Sequence, residues 1–273
     1  MRKPLKIVLA IVLVAIAGAI AWQILRTREP SYQGRSLGSW LTAYYPVTQK
    51  TPATERARKA EEMRKAHEAV RQIGTDALPT LLRMLQVRDS ALKVKFMNLA
   101  QRQHLIRIRY VPAEFLNNAA ASGFHVLGQR AKNAVPALIE LANRNISPAS
   151  RLGAISALGS IGPPAKEAVP LLLPSATNTD IWVRYRTIVA LGSIRSEPER
   201  VVPVLMNALH DPNENVQNAA VQQLGWFGPD AKLAVPTLVE FINAPNSDWV
   251  DKMNATNALK NIDPEAAAKA GVK

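Results

Sequence analysis

Four prolines constrain this chain more than any other feature. Pro136, Pro170, Pro203 and Pro236 follow one another at steps of 34, 33 and 33 residues. Each stands after a valine and two residues before a leucine: Leu138, Leu172, Leu205 and Leu238. Around two of them the text nearly repeats, Leu158-Gly159-Ser160-Ile161-Gly162-Pro163 against Leu224-Gly225-Trp226-Phe227-Gly228-Pro229. A fixed period between roughly 20 and 50 residues marks a solenoid, in which each unit buries its apolar face only against its neighbours.

The unit itself reads as a helix pair. Proline near the first turn of a helix loses nothing, because its missing N–H would have had no partner there. The leucine two positions on faces the core. A polar turn follows, as in His210-Asp211-Pro212-Asn213, and then a second helix closing on Leu-Gly, where glycine either ends the helix or admits a neighbour closely. Aromatics make up only 5% of the chain, so the seams must be filled by Ala, Leu, Val and Ile. An earlier unit starts at Asp76 to Leu85, but its proline, Pro79, lies 57 residues before Pro136. The excess places an insertion at about 88–111, predicted as an extra helix from Ala91 to Ile106, with Pro112 to Leu127 as the delayed second helix. The last unit is degenerate, with Lys260 where glycine is expected after Leu259, as suits a cap.

Val183-Arg184, Ala190-Leu191-Gly192 with Ile194, and Ala157-Leu158-Gly159 with Ile161-Gly162 resemble HEAT repeats, specifically the bacterial kind grouped with phycobilisome-lyase-like HEAT repeats. The resemblance runs from about Leu78 to Ile262, with a gap at the insertion. It implies an all-α fold, a right-handed α-α superhelix of stacked antiparallel helix pairs whose second helices line the concave face. It is specific for fold and nearly silent on function.

Charge divides the chain in two. Residues 1–118 hold 20 Lys+Arg against 8 Asp+Glu, and residues 119–273 hold 14 against 13, so almost all of the net +13 lies at the amino-terminal end. A membrane surface explains that as well as a polyanion does. Behind Arg2, Lys3 and Lys6, the 19 residues Ile7 to Leu25 carry no charge, enough for one helix across a bilayer core of about 30 Å. Residues 1–29 are therefore expected to be a single transmembrane anchor, with the repeats on the non-cytoplasmic, periplasmic side. The alternative is a signal peptide cleaved near Ala19-Ile20-Ala21, releasing the protein into the periplasm.

Residues 30–53 form a juxtamembrane Tyr/Trp segment and linker. Gly34-x-Ser36-x-Gly38 matches the nucleophile-elbow pattern, but that chemistry needs a strand before the serine, and nothing upstream reads as one. The plainer expectation is a turn into a short helix, Ser39 to Tyr45, whose Trp40 and Tyr44 cap the solenoid or rest on the membrane interface. Thr54 to Ile73 opens the solenoid proper, residues 54–273, as a charged amphipathic helix with interleaved signs.

Candidate binding residues lie where the repeats disagree. Equivalent positions of successive second helices carry Arg151, Arg184, Gln217 and Asp251, running from positive to negative. In the family this chain resembles the position often bonds between adjacent units, so Arg184 is expected to be a structural bridge, with a ligand role as the alternative. A phosphate-tracking groove would need cations in a row, so no nucleic acid is expected. Trp182 and Trp249 precede two of these positions and are candidate anchors for a protein partner. Arg102, Arg107 and Arg109 make the insertion the most basic patch of the folded part. With no cysteine, thiol catalysis is excluded. His67, His104, His125 and His210 fall in separate segments, so neither a metal site nor a cofactor site is legible, and no convergent catalytic set emerges. The expectation is a non-catalytic, membrane-tethered scaffold for a protein partner. The alternative is a HEAT-like enzyme or enzyme subunit, either a bilin lyase relative or a DNA glycosylase of this fold.

Overall fold

A computed structural model of the protein describes residues 29–44, 51–102, 110–244 and 249–270. The predicted membrane segment Ile7 to Leu25 lies outside these residues. Among the described residues no helix is long and apolar enough to cross a membrane.

The chain builds two helical layers. One holds the second helices: α2 (Ala53–Ile73), α5 (Ala113–Leu127), α7 (Pro148–Ile161), α9 (Ile181–Ile194), α11 (Glu214–Phe227) and α13 (Trp249–Ile262). They pack side by side in chain order. The other layer holds the first helices: α3 (Leu78–Leu85), α6 (Val135–Arg144), α8 (Val169–Ser175), α10 (Pro198–Ala208) and α12 (Val235–Asn243), each lying on its own second helix. Neighbouring first helices approach one another far less than neighbouring second helices do. A stack that is closer-spaced on one side bends towards that side, so the second-helix face is the inner one.

Two kinds of glycine produce this spacing, and the units ending at Gly162 and Gly228 carry both. Gly159 and Gly225 sit inside α7 and α11, where an added Cβ would meet the Cα of Ala190 at 2.9 Å and of Ala258 at 3.0 Å. They admit the next helix and do not end their own. The ends are set three residues later, at Gly128, Gly162 and Gly228, with φ of +53°, +73° and +58°. Positive φ is nearly free for glycine and costly for other residues, so it stops the helix there. Arg195 fills the same position between them at φ 48°, and its guanidinium donates to the Trp226 carbonyl of the next unit at 3.0 Å. Between each glycine cap and the next first helix runs a 3-10 turn, such as Gly228–Ala234, whose small Ala231 and Ala234 are buried. After Arg195 there is none: α10 starts at Pro198, so Pro203 lies inside the helix and not at the first turn expected for it.

The amino-terminal end is closed by an element the sequence pattern did not reveal. β1 (Ser31–Tyr32) and β2 (Arg35–Ser36) form a two-stranded hairpin around Gln33 and Gly34, both at positive φ as a tight hairpin turn requires. The short helix α1 (Leu37–Leu41) therefore starts two residues before the expected Ser39. Ser36 is its N-cap, its hydroxyl accepting from the Ser39 N–H, which gives the G-x-S-x-G serine a structural role. Trp40 is buried against Ala66 and Ala69 of α2 and donates its indole N–H to the Tyr32 carbonyl at 3.1 Å. Leu37 and Leu41 join the main core. Of the two roles considered for Trp40, capping the solenoid is the one it fills.

The carboxyl-terminal end closes with α14 (Pro264–Lys269), packed on α13 and capped by Asp263, which accepts from the Ala266 N–H at 3.0 Å. The insertion forms α4 (Ala91–Arg102), which packs substantially on no other helix among the described residues. Asp89 holds its base. One carboxylate oxygen accepts from the Ala113 N–H that starts α5, at 2.7 Å, and the other pairs with Lys93 at 2.7 Å. Tyr110 also donates to it. Burial works against the charged form, but these three donors outweigh it and hold the Asp89 carboxyl down at about 2.

Candidate functional site: the groove of the second helices

The inner face carries two recesses. The amino-terminal one, of about 510 Å³, gathers Tyr44, His67 of α2, Ser122 and His125 of α5, Ser160 of α7, and Trp182 and Arg186 of α9. His67 and His125, assigned to separate segments from the sequence, thus line one recess. Burial, reinforced by the positive charge of Arg71 and by His125, pushes the His67 pKa below the usual imidazole value. Its ring lies 5.5 Å from that of Tyr44, whose buried hydroxyl has no partner among the described residues and whose pKa burial drives up to about 12. Ser160 Oγ stands 3.5 Å from His125 Nδ1, at the far limit of a hydrogen bond. No carboxylate lines the recess to orient either imidazole, as a nucleophilic dyad requires.

The carboxyl-terminal recess, of about 360 Å³, is chemically different. Asn215, Asn218 and Gln222 project from α11, and Asn254, Asn257 and Asn261 from α13, between the rings of Tyr185 and Trp226. On both helices the amides recur at steps of three and four residues, which puts them on one face. Among the described residues no Asp, Glu, Lys, Arg or His lines this recess. Each amide offers two donors and an acceptor with two lone pairs, so the surface suits an uncharged ligand rich in amides or hydroxyls. It offers no group for proton transfer near neutral pH.

The register series lies on the turn side of the second helices. Arg184 makes a two-pronged pair with Asp211 of the next unit, Nε to Oδ2 at 2.6 Å and Nη2 to Oδ1 at 2.9 Å, and also donates to the Asn178 carbonyl of its own turn at 2.9 Å. The two side chains are only 12% and 8% exposed. Burial opposes ionisation of Asp211, yet Arg184 and the Asn213 N–H hold its pKa below the carboxylate range. Arg151 reaches Ser175 Oγ of the next unit at 3.3 Å, and Gln217 donates to the Asp211 carbonyl at 2.7 Å. Gln217 and Asp251 share a third recess of about 390 Å³ with Glu214 and Glu240. These positions knit turn to turn and do not converge on one ligand.

Trp182 is 58% exposed at the rim of the amino-terminal recess, edge-on to Tyr185 at 6.3 Å between ring centres. Trp249 is 74% exposed at the start of α13 and is not among the residues lining these three recesses, although Asp251, two residues on, lines the third. Arg102 ends α4, and Arg107 and Arg109 lie outside the described residues. Among the described residues no three His, Asp or Glu come close enough to hold a metal ion. The amide row and Trp226 went unrecognised in the sequence, although Asn254-x-x-Asn257-x-x-x-Asn261 was there to be read at helical spacing.

Residues 169–260 match the family described as HEAT repeats, a stretch from α8 into α13 that covers about a third of the chain. No curated protein matches the chain. Among solved structures it is similar to the crystal structure of an engineered protein from a structural genomics consortium. The two are 18% identical with a TM-score of 0.51, over 84% of this chain and 96% of that one. At that identity the likeness speaks for the fold alone. Match and architecture together show a helical repeat fold that is similar to HEAT repeats over residues 169–260.

Proposed function

We propose that the protein is a non-catalytic scaffold, tethered to a membrane by residues 7–25, that holds an extended protein segment in the groove of its second helices. The observation that carries this reading is the row of six side-chain amides between Tyr185 and Trp226. A peptide group presents one donor and one acceptor, and side-chain amides answer both without charge. The flanking rings supply apolar area at low entropic cost. HEAT repeats commonly serve protein interaction, which points the same way. The tether rests on the uncharged stretch Ile7 to Leu25, and the basic residues before it favour repeats on the periplasmic side. A DNA glycosylase would need a strongly cationic groove, and the amide recess has no cation in its lining.

The test uses the full-length protein captured from its membrane with its crosslinked partner. Replacing Asn218 and Asn257 by alanine removes hydrogen bonds of about 1 kcal/mol each, so partner recovery falls about tenfold or more while the far-UV spectrum stays unchanged. Crosslinks should map to α11 and α13, and binding should change little between roughly 50 and 200 mM salt. Undiminished binding by the double variant, or tight DNA binding with steep salt dependence, would overturn the reading.

A further inference from the structure

The inserted helix α4 presents an apolar edge that nothing among the described residues covers. Leu92, Phe96 and Leu99 are 80%, 66% and 67% exposed. At about 100° per residue they fall within roughly 60° of one another, so they form one stripe. Lys93 and Lys95 stand on opposite flanks of that stripe, both exposed. From Ser90 to Ala113 the sequence holds five Lys or Arg and no Asp or Glu. The helix does not owe its place to packing on the repeats. It is held at its base, by Asp89 bonding Lys93 on one side and Tyr110 and Ala113 on the other.

We propose that α4 is a membrane-surface helix that lies on a bilayer containing anionic lipid, with the Leu92–Phe96–Leu99 edge sunk at the headgroup boundary. An apolar stripe of Leu and Phe bordered by Lys is the composition that partitions to that boundary, where the rings and aliphatic chains enter and the ammonium groups meet lipid phosphate. Charge decides between occupants. A second copy of α4 would set Lys93, Lys95 and Arg102 against the same three cations, with Asp89 at the helix base the one acid near them, whereas an anionic bilayer supplies negative charge along the whole edge. This contact is separate from the tether at residues 7–25 and from the amide groove, and it stands or falls without them.

The chain has no cysteine, so a single introduced one reports one place. Phe96→Cys in the full-length protein, labelled with an environment-sensitive fluorophore, is compared in lipid nanodiscs of phosphatidylcholine alone and of phosphatidylcholine with phosphatidylglycerol. The expected result is a blue shift and quenching by more than about half with lipid-borne quencher in the anionic discs, and weaker effects in the neutral ones. Adding Lys93→Gln and Lys95→Gln reduces the anionic preference by about tenfold. A label at Leu233→Cys, an exposed site on the turn before α12, stays unquenched. Solvent-like emission from position 96 in both discs overturns the proposal. So does equal quenching at position 233, or a blue shift that follows protein concentration without lipid, which would make a second copy the occupant. Failure of the tether reads out separately, as release of the protein by alkaline carbonate.

Discussion

The residues that recur in this chain serve spacing. Gly159 sits where the backbone of Ala190 leaves no room for a Cβ. Alanine would gain up to about 1 kcal/mol in helix propensity but must push two helices apart, at a cost of about 1 to 3 kcal/mol. Gly159→Ala should therefore lower the thermal midpoint, and an unchanged or higher midpoint would show that the seam is slack. Arg184 and Asp211 tie neighbouring turns in the same region of the array. Because the Asp211 pKa is depressed on folding, its contribution is fully present above the unfolded carboxylate range, near pH 4, and is lost as pH falls through the folded value. Arg184→Met leaves a largely buried carboxylate without its cation, and should cost about 2 to 4 kcal/mol at pH 7. The deficit should shrink below pH 4, measured by urea denaturation across pH. By its repeat register Arg184 reads as a structural bridge between units, but its partner was not legible, since Asp211 lies in the next unit and only stacking brings the two together.

Among the elements, the insertion was legible as an excess over the period, and α4 lies inside the range that excess predicted. Its boundary condition was not legible, because Asp89 acts on residues 21 and 24 positions away. With its pKa lowered to about 2, Asp89 stays charged down to acid pH, and the clasp should weaken only as pH falls from about 4 towards 2. Asp89→Ala should raise amide exchange across 90–102 by about tenfold at pH 7 while leaving α7, α9 and α11 protected. Equal exchange in the two proteins would mean that something other than Asp89 holds the helix base. The hairpin before α1 was missed for a different reason. Two-residue strands carry no alternation, and Ser36 beside two glycines looked like a catalytic pattern when its hydroxyl serves as a helix cap.

Across the whole molecule, function follows from which layer is inner. The text that repeats most faithfully runs from the Leu-Gly end of one second helix to the Val-Pro start of the next first helix, and it concerns packing. The second helices vary, and their variation makes one recess with two histidines and another with six amides. The sequence by itself determined the unit, its period, the helix starts at Pro136, Pro170 and Pro236, and the place where the period breaks, but not the start of α10, which comes at Pro198. Those depend on residues close together in the chain, such as proline at a first turn or leucine on one helix face. Only the tertiary structure decided that His67 meets His125, that Arg184 meets Asp211, and that amides on α11 and α13 face one recess. Each of those pairings joins residues about 27 to 58 positions apart. Their geometry is fixed by how closely one unit packs on the next, which no single unit's sequence contains.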